Sequence, residues 1–216
     1  MTSADVLRAT SAIAGANGSS KLLPGFTNGV LDSQAVFRVA LDAMSRPGTI
    51  LKAPITVPSP PGLTPAAACL ALTLLDTDTA VWLSPTQSTA DIVSYLSFHA
   101  GPPLVENPGE ADFLFVGAGD QIPSLDLLKI GEPEYPDNSA TLVVTLPALH
   151  DGTTRVLKGP GIQSSTKFSP CGLDETFWME WDRNQILFPQ GVDVFFVTDA
   201  EISALPRTTE QVVECT

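Results

Sequence analysis

The stretch G25-F-T-N-G-V-L-D-S-Q-A-V-F-R-V-A-L-D-A-M-S-R-P-G48 holds a turn, an amphipathic helix and a hard stop. Gly25 and Asn28-Gly29 punctuate the entry as turn residues. Asp32 can cap a helix by accepting a bond from a free backbone N–H one turn further on. Phe37, Ala40, Leu41 and Met44 then recur at helical spacing and predict one apolar stripe. Gln34, Arg38, Asp42 and Ser45 fall on the opposite face, with Arg38 and Asp42 one turn apart. Arg46-Pro47-Gly48 ends the helix, because proline disfavours α geometry in the residue before it. An amphipathic helix of this length needs a second layer to bury its stripe.

The remaining pattern supplies that layer. Thr64-Pro65 starts a second helix, a capping hydroxyl followed by proline at the first helical position. Ala66–Leu75 is apolar nearly all round, which predicts deep burial. A strand is predicted at Ala80–Leu83, and a helix after Thr89 with Ile92, Val93 and Leu96 inward, His99 in its last turn and Gly101 as its stop. Ala111–Val116 reads as a buried strand and Ser124–Ile130 as a short helix closed by Gly131. Ala140–Leu146 and Thr153–Leu157 read as a hairpin around His150-Asp151-Gly152. Residues 163–172 read as irregular. Leu173–Ile186 is a helix carrying Phe177, Trp178 and Trp181. Strands follow at Val192–Val197 and up to Leu205, and Thr49–Val57 is a strand broken by Pro54. Strands alternating with helices predict an α/β class, a single domain over residues 22–216 with a mixed β-sheet flanked by helices. Residues 1–21 are small and polar and read as a mobile N-terminal tail.

Composition narrows the function. The chain has 216 residues, 24 of them acidic and 11 basic, for a net charge of -13. That balance argues against general nucleic-acid or anionic-membrane binding. No apolar run approaches the ~20 residues that span a bilayer, and the N-terminus lacks the apolar core of a signal peptide, so the expectation is a cytoplasmic location. Cys69, Cys171 and Cys215 are far apart and odd in number, which predicts incidental thiols and no metal site.

Candidate chemistry is sparse. Gly159-Pro160-Gly161-Ile162 lacks the lysine and Ser/Thr of a nucleotide loop and reads as a tight turn. Arg38, Arg46 and Arg207 each sit beside a structural punctuation mark, and their forked donors suit phosphate or carboxylate. The competing reading is ion pairing with partners such as Asp42 or Asp193. His99 is a candidate contact residue, because histidine as a residue type changes charge near neutral pH. His150, in a turn beside Asp151, reads as solvated. No Ser-His-Asp order or zinc spacing is present.

Six stretches in order carry a resemblance: the opening motif, Leu75–Leu83, Phe98-His99 with Pro103-Leu104-Val105, Leu157–Ile162, Phe188–Asp193 and Leu205–Thr208. From about Phe26 to Cys215 the chain resembles the PhnH family of the bacterial carbon–phosphorus lyase system. The resemblance implies a fold like the pyridoxal-phosphate-dependent transferases without the cofactor, and a homodimer when isolated. It implies a subunit of the core complex needed for phosphonate catabolism, working with PhnG, PhnI, PhnJ and PhnL. That complex forms alpha-D-ribose 1-methylphosphonate 5-triphosphate from MgATP and methylphosphonate and releases adenine. The chain alone is expected to be inactive. Two alternatives stand beside this: a docking subunit without substrate contact, and a free-standing pyridoxal-phosphate-type transferase. The latter needs a Schiff-base lysine. Lys158 is the least unsuitable of the five, and the expectation is no bound cofactor. Arg38, Arg46, His99 and Arg207 form the expected functional patch.

Overall fold

The computed structural model describes residues 22–212, so the 1–21 tail and Cys215 lie outside the described residues. A six-stranded sheet runs in the order β1 (Leu51–Lys52), β8 (Glu201–Leu205), β7 (Asp193–Val197), β4 (Thr141–Thr145), β3 (Phe113–Val116), β2 (Val81–Leu83). β2, β3, β4 and β7 are mutually parallel, and β8 and β1 are antiparallel additions at one side. The sheet is mixed, as expected, and helices cover both faces.

Strict alternation along the strands divides the core. Phe115, Val143, Phe195 and Val197 face α1 (Gly29–Ser45), α2 (Pro65–Leu74) and α3 (Ala90–His99). Leu114, Val116, Leu142, Val144, Val194 and Phe196 face α4 (Glu175–Ile186) and a small second sheet. These strands are apolar at nearly every position because both faces are buried, the normal state of parallel strands.

The helix starts at Thr64-Pro65 and Thr89 are found as predicted: Thr64 accepts from Ala67 N and Thr89 from Ile92 N. Gly101 stops α3 with φ +67°. In α2, Ala66 through Ala71 are all buried. Phe177, Trp178 and Trp181 of α4 are buried, and Trp181 Nε1 donates to Thr209 O at 2.9 Å.

Five expectations are corrected. First, the cap of α1 is Asn28, whose side chain accepts from Leu31 N at 3.1 Å. Asp32 acts from inside the first turn, taking Asn28 N at 2.8 Å, so the two residues satisfy each other's end of the helix. Second, the inward stripe of α1 is Val36, Ala40 and Ala43, while Phe37 and Leu41 are exposed. Both stripes have helical spacing, and the smaller side chains let α1 approach the alanine-rich α2 closely. Third, Ala140–Leu146 and Thr153–Leu157 do not form a hairpin. β4 lies between β3 and β7, and β5 (Arg155–Lys158) belongs to the small sheet, ordered β6 (Thr166–Phe168), β5, β9 (Glu210–Val212). Two-sided burial of β4 demands a central position that a hairpin partner at the edge could not give. Fourth, β6 falls within the stretch read as irregular, and β9 was not foreseen; both are three-residue strands with polar positions. Fifth, the helix expected at Ser124–Ile130 is a single 3₁₀ turn at Leu125–Leu127, and the Thr49–Val57 strand shrinks to β1.

The outward position of Leu41 on α1, half exposed, is testable against the fully buried Leu70 of the neighbouring α2. Leu70→Ala is expected to lower stability by about 2–5 kcal/mol, whereas Leu41→Ala should stay within about 0.5 kcal/mol. Urea midpoints of the two variants check this.

Candidate functional site

The carboxyl ends of parallel strands in an open α/β sheet are where ligands bind. Here those ends open into a cleft of about 520 Å³. Thr145 and Leu146 enter it from the end of β4, Thr198, Asp199 and Ala200 from the end of β7, and Ala118 from beyond β3. Lys52 of β1 and Glu201 of β8 line it side by side, being register partners. Thr64, the cap of α2, points the positive end of that helix at it. His150 lines its remaining wall.

The loop bearing His150 is pinned. Cys171 N donates to Ala148 O at 2.9 Å, Gly152 N to Ser169 O at 2.8 Å, and the Cys171 thiol to His150 O at 3.3 Å. Asp151 takes the left-handed region at φ 67°, the one described residue other than glycine to do so. A Cβ on Gly152 would stand 2.1 Å from Pro170 O, so that turn admits only glycine. The turn expected at His150-Asp151-Gly152 exists, but it returns the chain to the small sheet.

A second set of bonds fixes the heads of β2 and β3. Asp120 Oδ2 accepts from the Ser84 hydroxyl, from Thr86 N at 2.9 Å and from Thr86 Oγ1 at 2.7 Å. Ser84, fully buried, takes Gly117 N at 2.9 Å in turn. Burial acts to raise the Asp120 carboxyl, but the bonds from Ser84 and Thr86 outweigh it and hold the group below its ordinary 3.8.

The four residues singled out from sequence have separate surroundings. Arg38 is exposed on α1. Arg46 pairs with Asp42 at 2.5 Å, with both side chains about half exposed (51% and 55%). His99 Nε2 donates to Leu23 O at 2.9 Å, its ring lies 4.5 Å from that of Tyr95, and Gly25 packs so closely that a Cβ there would stand 3.0 Å from the imidazole. Arg207 has all five guanidinium N–H groups occupied. Nε and one terminal nitrogen fork onto Asp193 at 3.1 and 2.6 Å, the same terminal nitrogen reaches the Ser139 hydroxyl, and the other meets Pro136 O at 2.7 Å and Pro189 O at 3.4 Å. For Arg46 and Arg207 the ion-pairing reading describes what the structure shows.

Backbone contacts do bring several motifs together. A Cβ on Gly161 would fall 2.0 Å from Ser45 O, and one on Gly159 would fall 2.7 Å from Thr208 O. The Gly159–Gly161 turn is therefore wedged between the end of α1 and the Arg207 turn. It is a packing element, as the plain reading of that turn predicts. Cys69 is fully buried, and that burial pushes its thiol up to about 11, away from the thiolate form.

Sequence reasoning missed Lys52, Thr145, Thr198 and Glu201 as cleft residues, and read His150 as solvated beside Asp151, which its 59% exposed side chain bears out. For the four missed, the signal available was position alone, since they stand at or just beyond a strand end.

Three outcomes follow from these geometries. Arg207→Ala should cost about 3 kcal/mol or more by stranding Asp193, and Arg207→Lys should recover less than half, because an ammonium cannot fork. Arg46→Ala should cost under about 1 kcal/mol, as an exposed pair. Asp120→Asn should be about 1–2 kcal/mol less stable at pH 7. A depressed carboxyl stabilises the fold fully above its unfolded value and loses that contribution as pH falls through the folded value, so this gap should close below about pH 4. Denaturation at pH 7 and pH 3 measures all three.

Residues 24–212 match the family described as "Bacterial phosphonate metabolism protein (PhnH)". The chain is 37% identical over 185 residues to the alpha-D-ribose 1-methylphosphonate 5-triphosphate synthase subunit PhnH of Rhizobium meliloti (strain 1021), covering 86% of this chain and 92% of that protein. It is also 35% identical over 81 residues, 38% of this chain and 42% of the other, to HtxG of Stutzerimonas stutzeri, whose name makes it a candidate C-P lyase subunit. With motif stretches from the α1 end, the Gly159 turn and the Arg207 turn packed together in one fold, and a match running through nearly all of the described residues, this chain belongs to the PhnH family of bacterial phosphonate metabolism.

Proposed function

We propose that this chain is a subunit of the carbon–phosphorus lyase core complex, needed for forming alpha-D-ribose 1-methylphosphonate 5-triphosphate from MgATP and methylphosphonate with release of adenine. The observation that carries the reading is the near end-to-end similarity to a synthase subunit of that name. The partners in this reading are PhnG, PhnI, PhnJ and PhnL, the isolated chain is a homodimer, and its place is the cytoplasm. Among the described residues no helix is long and apolar enough to cross a membrane, which accords with that location.

In this reading the chain does no chemistry alone. The cleft brings together one lysine, one histidine, two carboxylates and threonine hydroxyls, and none of the hydroxyls is hydrogen-bonded to a base that would activate it. Arg38, exposed on α1, and Arg46, half exposed just after its end, are kept as partner contacts. Arg207 acts by holding the fold. His99 anchors the entry to α1 through Leu23.

The finer likeness to pyridoxal-phosphate-dependent transferases rests on a mixed sheet, helices on both faces and a cleft at the carboxyl edge. The residues do not fit the cofactor. Lys158 stands on β5 opposite Glu210, in the small sheet. Lys52 reaches the cleft but is exposed on a two-residue edge strand, whereas a Schiff-base lysine needs a desolvated site.

A docking role without substrate contact has its own support. Val30, Phe37 and Leu41 form an exposed apolar ridge along α1, a surface suited to a partner. Reconstitution decides between these readings. Product from MgATP and methylphosphonate should fall at least about tenfold, roughly 1.4 kcal/mol or more, when this chain is omitted from the other subunits, and this chain alone should give none. Turnover by the isolated chain, or full turnover without it, would overturn the assignment. Incubation with pyridoxal phosphate should leave no Schiff-base absorption after dialysis.

A further inference from the structure

The cleft at the carboxyl edge of the sheet carries charges of both signs that the protein does not pair. Outside the cleft five cations are matched to a carboxylate, Arg46 to Asp42, Lys129 to Asp112, Arg155 to Glu175, Arg183 to Asp126 and Arg207 to Asp193, while Arg38, Lys158 and Lys167 have no such partner among the described residues. Among the described residues, Lys52, Asp199 and Glu201 have no such partner, although all three line the same cleft and Lys52 and Glu201 are register neighbours across β1 and β8. Charges of both signs thus face one hollow, where a ligand that carries both can meet them.

The inner wall adds a directed donor. Thr145 is 7% exposed, yet it lines the cleft, and its hydroxyl bonds to no group among the described residues. Its oxygen is not sealed from the cleft, so the hydroxyl is free to donate to a polar ligand atom there. Thr64 and Thr198 stand nearby with their oxygens already accepting backbone N–H groups, at 3.3 Å from Ala67 N and at 3.1 Å from Glu201 N. Their hydroxyl protons remain to be donated. One end of the cleft chemistry is thus hydroxyl donors, the Lys52 ammonium and the positive end of α2, which suits an oxyanion. The other is the pair of carboxylates Asp199 and Glu201, which suits an ammonium.

We infer that this cleft binds a small dipolar molecule, with an oxyanion held by Lys52, Thr64 and Thr145 and a primary ammonium held by Asp199 and Glu201. A simple anion would meet two carboxylates and a simple cation would meet Lys52, so a ligand with both ends is selected over either half. The pinned His150 loop and the Asp120 bonds keep the rim in place before binding. The inference concerns binding to this chain and does not require the assembly reading.

The test is calorimetry on the full chain with four probes: 2-aminoethylphosphonate, β-alanine, methylphosphonate and ethylamine. The dipolar probes should bind at least about tenfold more tightly than the single-headed ones, the factor about 1.4 kcal/mol supplies. Tighter binding of 2-aminoethylphosphonate than of β-alanine identifies the oxyanion as a phosphonate, and the reverse order identifies a carboxylate. Thr145→Val and Lys52→Ala should each weaken the better dipolar probe about fivefold or more. Glu201→Gln should weaken it while leaving methylphosphonate unchanged. Lys52 is exposed, so its variant folds whatever its role. Equal binding of methylphosphonate and 2-aminoethylphosphonate, binding unaltered by all three substitutions, or no binding of any probe would overturn the inference. Failure here with intact dependence of the reconstituted complex on this chain would remove the ligand site alone.

Discussion

Five guanidinium N–H groups of Arg207 tie together three parts of the chain that are far apart in sequence. Asp193 begins β7, Arg207 follows β8, and Pro136 and Ser139 precede β4. The pair is mostly buried, with side chains 13% and 22% exposed, so its Coulomb term is little screened, and the extra bonds to carbonyl and hydroxyl groups meet the desolvation of the cation. Near it Gly191 leaves room where a Cβ would press to 2.9 Å on Asn184 Oδ1. That amide bonds Val192 in both directions, at 2.8 and 3.0 Å, and so fastens α4 to the start of β7. Polar bonds thus fix the start of β7 and the approach to β4, while the carboxyl ends of β4 and β7 open into the cleft beside the Asp120 bonds that hold those of β2 and β3.

This division explains why the conspicuous arginine is not where a ligand would go. Arg207 looks like a recognition residue because it follows a strand and precedes a turn. It stands, however, after an antiparallel strand, at the amino edge of its parallel neighbours. Lys52 and Glu201 mark the other end of that antiparallel pair, and they reach the cleft. Strand direction, which a single sequence does not state, decides which charged residue faces which edge.

The sequence made legible whatever depends on local rules. The caps Thr64 and Thr89, the stop at Arg46-Pro47-Gly48, the burial of α2 and the inward tryptophans of α4 follow from neighbours within one helical turn. What was not legible depends on distant partners. Of the stripe Phe37, Ala40, Leu41 and Met44, Ala40 is buried and Met44 packs against the core, but Val36 and Ala43 share the helical spacing, and only the packing of α1 on α2 turns them inward in place of Phe37 and Leu41. β4 and β5 are adjacent in sequence and look paired, but β4 must be covered on both faces while β5 joins β9, more than fifty residues on. Among site residues, the ion pairs of Arg46 and Arg207 were foreseeable as alternatives, whereas the cleft collects residues from five separate segments.

The acidic character of the chain bears on the same point. A net charge of -13 places a negative field around any bare anion that approaches. At about 8 Å screening length in physiological salt, that field is felt mainly near the surface, and the groups lining a cleft dominate inside it. An ammonium on the ligand turns the field from opposition to assistance, while Lys52, the hydroxyls and the end of α2 act at contact distance on the anionic end. An acidic subunit can therefore hold an anionic group without an arginine cluster, provided that group carries its own positive partner.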